Sequence, residues 1–112
     1  MVREDPRADD IWLVALDPTR GSEIQKTRPC VIISPDEMNR YLRTVIIAPM
    51  TTKPRQYPFR VDLTFQGRIG QVALDQVRAV DRSRLLNKLG SVSPVVARSV
   101  SNTLVEMFRR AG

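Results

Sequence analysis

The sequence predicts a mainly β domain: a small antiparallel barrel or strongly curved sheet, closed by one amphipathic C-terminal helix. Short apolar runs rich in Val and Ile recur at Ile11–Leu16, Cys30–Ser34, Thr44–Pro49 and Phe59–Phe65. Runs this short, built from residues stiff at χ1, suit strands better than helices. Turn residues separate them at every step. Only the final stretch has helical spacing, with Val96, Val100, Leu104, Met107 and Phe108 on one stripe. At 112 residues the chain makes one domain.

Residues 1–10 are polar, contain Pro6 and show no period, so a mobile N-terminal tail is expected ahead of a single domain over 11–112. Ile11–Leu16 is apolar on both faces, and a second subunit is the expected cover for one of them. Asp17-Pro18-Thr19-Arg20-Gly21-Ser22-Glu23 is turn chemistry opening a polar loop to Lys26. Val31-Ile32-Ile33 is the heart of the next strand. Arg28 precedes Pro29, which biases it towards an extended backbone, so its guanidinium is expected to leave the strand end at a defined angle. Ser34-Pro35-Asp36-Glu37 reads as a helix start, with Ser34 as N-cap, Pro35 as first helical residue and Glu37 closing a capping box. That helix should run to about Leu42.

Thr44–Pro49 is a third strand, again apolar on both faces, and residues 51–58 form a basic loop holding Pro54 and Pro58. Phe59, Val61, Leu63 and Phe65 alternate with Arg60, Asp62 and Thr64, the period of a half-buried strand. Gly67–Gly70 turns the chain into Gln71–Val80, either one strand bent near Asp75 or two short ones. Arg82–Lys88 is expected as a helical turn and Leu89–Val92 as a short extended piece. Ser93-Pro94 then repeats the N-cap and first-turn signal.

Composition narrows the chemistry. The chain has no histidine, which removes imidazole triads, histidine-pair nuclease chemistry and most zinc sites. Its single cysteine, Cys30, lies inside an apolar run and reads as a small buried hydrophobe. Net charge is +6, and because the first ten residues carry four acids against Arg3 and Arg7, the remainder is +8. An excess of that size suits a polyanion, nucleic acid above all. No run has the length of a membrane span and no signal peptide is evident, so a cytoplasmic location with no membrane partner is expected.

Several polar groups sit at strand ends or turns: Glu23, Arg28, Thr51-Thr52, and Asp75-Gln76 with Arg78. A carboxylate, an arginine and a hydroxyl suffice for metal-free RNA cleavage. There the substrate's 2′-hydroxyl attacks the adjacent phosphorus, a base takes its proton and cationic donors stabilise the phosphorane. Each group also has a structural alternative: Arg28 as an edge ion pair, Glu23 as a solvated carboxylate, Thr51-Thr52 as turn caps, Asp75 at a bulge. Lys53, Arg55 and Tyr57 offer cations and a ring to an unpaired strand, or form a solvated basic face.

The motifs Asp17-Pro18-Thr19-x-Gly21-Ser22-Glu23, Thr27-Arg28-Pro29, Ser34-Pro35, Ala48-Pro49-x-Thr51-Thr52, Tyr57-Pro58-Phe59 and Asp75-Gln76-Val77 together resemble the MazF/PemK (Kid-like) toxins of type II toxin–antitoxin systems. The resemblance runs from Ile11 to the C-terminal helix. It implies an SH3-like or CcdB-like barrel and a homodimer acting as an mRNA interferase on single-stranded RNA, with no metal and no cofactor. It also implies inhibition by a MazE-like antitoxin, through which alone DNA would be reached. The implied catalytic residues are Arg28, Thr51, Glu23 and Asp75, with the base open between Glu23 and Asp75. RNA contacts are expected for Arg20, Ser22, Lys53, Arg55, Tyr57, Gln76, Arg78 and Arg84. Two positions depart from Kid-like members: Ser22 stands where some carry histidine, and Ala73 where they carry an arginine near the strand aspartate. Arg28 must then take a larger share, or Arg78 must swing in. The alternatives are a CcdB-like gyrase-targeting toxin, to which Arg28-Pro29 and Thr51-Thr52 do not point, and a non-catalytic nucleic-acid-binding SH3-like module.

Overall fold

The computed structural model describes residues 4–16, 21 and 26–110. Its strands are β1 (Asp10–Ala15), β2 (Thr27–Ile32), β3 (Thr44–Thr51), β4 (Arg60–Phe65), β5 (Arg68–Ala73), β6 (Arg78–Asp81) and β7 (Leu85–Ser91). Helix α1 (Asp36–Tyr41) joins β2 to β3, and α2 (Pro94–Phe108) follows the last strand. The strands form one antiparallel sheet in the order β4-β5-β3-β2-β1-β7, with β6 added on β3. This is the expected curled sheet with a C-terminal helix. No helix among the described residues is long and apolar enough to cross a membrane.

Strand β3 changes partners along its length. Its first residues, Thr44–Ile47, pair with β6, and Ile47–Pro49 pair with Ile32–Cys30 of β2. Met50 and Thr51 then turn away from β2 and pair with Val72 and Gln71 of β5. The sheet splits at this point.

The two-sided apolar runs are covered by the chain itself. On one side Ile11, Val31, Ala48 and Met50 pack with Val61, Leu63, Val72, Leu74 and Val100, under Val96, Leu104 and Met107 of α2. On the other, Trp12, Val14, Leu16, Cys30, Ile32, Val45 and Ile47 pack with Val80 and Leu85. Curling lets β6 and β7 fold over the second face, so neither Ile11–Leu16 nor Thr44–Pro49 requires a second subunit as its cover. Phe108 is the exception on the helical stripe, 67% exposed at the end of α2.

Several boundaries differ from the sequence expectation for identifiable reasons. Ser34 does not cap α1. Its buried hydroxyl donates to Asn39 Oδ1 and accepts from the Ile46 backbone, and the cap position falls on Pro35. Arg82–Arg84 alone forms the helical turn, and Leu85 already pairs with Val14 of β1. Gln71–Val80 breaks into β5 and β6 around a 3₁₀ turn at Leu74–Gln76. Ser93 caps α2 as expected, accepting from Val96 N at 3.2 Å.

Residues 4–10, the described part of the expected tail, make hydrogen bonds and ion pairs to the body. Asp9 N donates to Ile32 O and Val92 N to Asp9 O, while Asp10 is buried, accepts from Trp12 Nε1 and pairs with Lys88. Asp36 accepts from Ala8 N, and Arg82 pairs with Asp5.

Candidate active site

A cleft of about 400 Å³ opens where β3 leaves β2. Arg28 and Pro29 of β2 form one lip, and Thr51, Thr52 and Gly70 the other. Met50, Leu63 and Phe65 give it apolar walls, and the β4–β5 hairpin adds Gln66, Arg68 and Ile69 at the rim. The residues of the two lips come from distant parts of the sequence and meet only through the partner switch of β3.

Local chemistry sets each lip. Arg28 lies within β2, opposite Val14, rather than beyond the strand end. Pro29 is tolerated because it precedes Cys30, where β2 first joins β3, and so sits where the ladder has a neighbour only on the β1 side. The Thr51 hydroxyl accepts from Lys53 N at 3.1 Å, which fixes its direction and starts the basic loop. A Cβ at residue 70 would stand 2.9 Å from Thr51 O, so only glycine lets β5 lie this close to the end of β3. The hairpin itself turns through Gln66 and Gly67, both at positive φ, the two-residue geometry that matches strand twist.

Asp75 stands apart from the residues that line this cleft. Arg60 holds it in a bidentate pair, Nε to Oδ1 at 2.6 Å and Nη2 to Oδ2 at 3.0 Å. Partial burial pushes its carboxyl up, but the Arg60 bonds and charge, helped by Gln76, outweigh that and hold it below the ordinary range. Arg60 is the cross-strand partner of Ala73. The cation that holds Asp75 therefore comes from β4. Arg60 also lies over the Tyr57 ring at 5.4 Å, and Tyr57 meets Phe59 at 5.1 Å. Tyr57 is 45% exposed, so its ring is open to solvent and not buried in the sheet.

Among the remaining candidates, Lys53 and Arg55 are exposed in the loop between β3 and β4. Gln76 ends the 3₁₀ turn, and Arg78 opens β6 opposite Ile47. Arg84 donates to Ala15 O at 3.0 Å, which gives it a structural bond whatever else it does. Arg20, Ser22 and Glu23 lie outside the described residues. Cys30 is buried, and burial pushes its thiol up to about 12, so it is no nucleophile. Sequence reasoning missed Arg68, Gln66 and Gly70. The Gln-Gly hairpin signal before Arg68 could have placed that arginine at a loop tip.

The fold recurs in known proteins. Residues 7–108 match the family described as PemK-like, MazF-like toxin of type II toxin-antitoxin system. The chain belongs to this family. It is 39% identical over 90 residues to the endoribonuclease toxin MazF of Escherichia coli K12, covering 80% of this chain and 81% of that one. The crystal structure of MazF from Deinococcus radiodurans superposes with a TM-score of 0.83 at 28% identity, over 94% of this chain and 97% of that one. A MazE-MazF structure from the same organism matches with a TM-score of 0.76 at 25% identity, over 94% and 97%. MazF-like toxins thus share both the curled sheet and the closing helix of this chain.

Proposed function

We propose that the protein is a sequence-specific endoribonuclease toxin of a type II toxin–antitoxin system. It cuts single-stranded RNA without a metal ion, by attack of the substrate's own 2′-hydroxyl, leaving 2′,3′-cyclic phosphate and 5′-hydroxyl ends. The observation that carries the reading is the meeting of Arg28 and Thr51 on one cleft, in a family whose relatives include the endoribonuclease MazF.

In this mechanism Arg28 grips the scissile phosphate, since a planar guanidinium can give two hydrogen bonds to its oxygens and oppose the charge that builds on the phosphorane. The Thr51 hydroxyl accepts from Lys53 N, which leaves its own proton for a phosphate oxygen. Asp75 has both carboxylate oxygens committed to Arg60, so it is a poor base, and that favours Glu23 for the proton of the 2′-hydroxyl. Lys53 and Arg55 hold phosphates of the incoming strand, and the exposed ring of Tyr57 stacks on a base. Arg20, Ser22, Gln76, Arg78 and Arg84 complete the proposed RNA surface.

The toxin acts in the cytoplasm as a homodimer, for which Leu42, Leu86 and Phe108 supply exposed apolar surface. Its inhibitor is a MazE-like antitoxin, a partner supported by the solved MazE-MazF relative, and the antitoxin is its only route to DNA.

Incubation with end-labelled single-stranded RNA tests the reading. Cleavage in excess chelator, with cyclic-phosphate ends at a short recurrent sequence, is expected. A bound but intact strand, or cleavage only when magnesium is added, contradicts it.

A further inference from the structure

Gln71 has no place in the chemistry above, yet its surroundings are unusually specific. Only 8% of it is exposed, and its backbone pairs with Thr51 of β3 on one side and Asp62 of β4 on the other. Its side-chain amide reaches the loop beyond Thr51. Arg55 N donates to Gln71 Oε1 at 2.9 Å, and Gln71 Nε2 donates to Arg55 O at 3.0 Å. Both backbone groups of one loop residue are therefore held by one side chain, as a neighbouring strand would hold them. The Asp62 carboxylate accepts from the same Nε2 at 2.9 Å, which fixes the amide's orientation.

We propose that Gln71 is a positioning residue for substrate: its amide brackets Arg55 and so fixes the basic 53–57 loop beside the Arg28–Thr51 cleft. Gln71 does not touch the RNA. It sets where the loop cations and the Tyr57 ring stand relative to Thr51, whose strand it also pairs. Loss of the bracket leaves the loop attached at its ends but free to sample other positions, which costs binding more than chemistry. The inference rests on the reading that RNA crosses this loop.

The test compares Gln71→Leu with the double variant Lys53→Ala/Arg55→Ala, and then combines them, measuring kcat, KM and melting temperature on one RNA. Gln71→Leu is expected to raise KM about fivefold, comparable to losing one phosphate contact, with kcat within about twofold of the parent. In the Lys53→Ala/Arg55→Ala background the same substitution should change KM less than about twofold, because both cations it positions are gone and only the Tyr57 ring is left for it to place. If Lys53→Ala/Arg55→Ala leaves KM unchanged, RNA does not cross the loop and the underlying reading fails. If that variant raises KM but Gln71→Leu does not, the positioning role alone is overturned. Gln71→Glu keeps the acceptor for Arg55 N while setting a carboxylate against Asp62 and Arg55 O. A folded Gln71→Glu protein with parental KM would overturn the proposal even if Gln71→Leu fails to fold.

Discussion

The two halves of β3 do opposite work. Val45 and Ile47, in the half flanked by β6 and β2, are fully buried among Ile32, Val80 and Leu85. Met50 and Thr51, in the half that has left β2 for β5, stand on a cleft with Arg28 across from them. A strand with neighbours on both sides has its backbone satisfied and its side chains packed. A strand that exchanges one neighbour for another leaves a gap in the sheet, and polar groups gather there without being buried. The switch costs close packing at one point and produces a site whose parts are fixed by the sheet rather than by a mobile loop.

The largest effect that sharpens this contrast is on stability in the first half. Ile47→Ala removes a fully buried side chain and should cost about 2–5 kcal/mol, read by denaturant or thermal unfolding. Catalysis by the remaining folded fraction should stay near parental. Gly70→Ala comes next and acts on the second half. Its Cβ would meet Thr51 O at 2.9 Å, so the β5 contact must open, with an expected cost of about 1–3 kcal/mol and a fall in kcat as Thr51 moves. If Gly70→Ala is as stable and active as the parent, the close approach does not fix Thr51.

The Arg60–Asp75 pair gives a smaller, pH-dependent effect. Its folded carboxyl lies below the ordinary value, so the pair stabilises the fold above the unfolded carboxylate pKa of about 3.9, and that contribution disappears as pH falls through the lower folded value. Asp75→Asn should therefore be less stable than the parent at neutral pH and approach it in strong acid, while kcat falls by less than about tenfold. A loss of two orders of magnitude or more in kcat would make Asp75 the base after all. Smallest is the loop. Lys53→Ala or Arg55→Ala should each lower the salt slope of RNA binding by roughly 0.7 without altering the cleavage sequence.

Much of this was legible in the sequence because it depends on local rules. The apolar runs gave the strands, Ser93-Pro94 gave the start of α2, and Arg28 and Thr51 stood out as polar groups beside strands. What was not legible depends on contacts between distant segments. Ser34 followed by Pro35 reads as a helix cap, but the hydroxyl is claimed by Asn39 and Ile46, a competition no local pattern records. The runs apolar on both faces pointed to a second subunit as their cover, because sequence does not show that β6 and β7 curl over the second face. Asp75 reads as a candidate base in the sequence, where nothing shows that Arg60, opposite Ala73, bonds both its oxygens. Gln71 resembled any polar strand residue, since its role comes from a loop that returns to meet it.

The central claim is that Arg28 and Thr51, brought together by the partner switch of β3, act on one phosphate. Single-turnover cleavage at saturating RNA measures this directly for Arg28→Ala, Thr51→Ala and the double variant, each first shown to be folded. Arg28→Ala should slow the chemical step about a hundredfold, the scale for one charged transition-state donor. Thr51→Ala should slow it less, and the double variant should fall well short of the product of the two losses, as groups that share one transition state do. A folded Arg28→Ala protein that cleaves at close to the parental rate, or losses that multiply in full, would contradict the account.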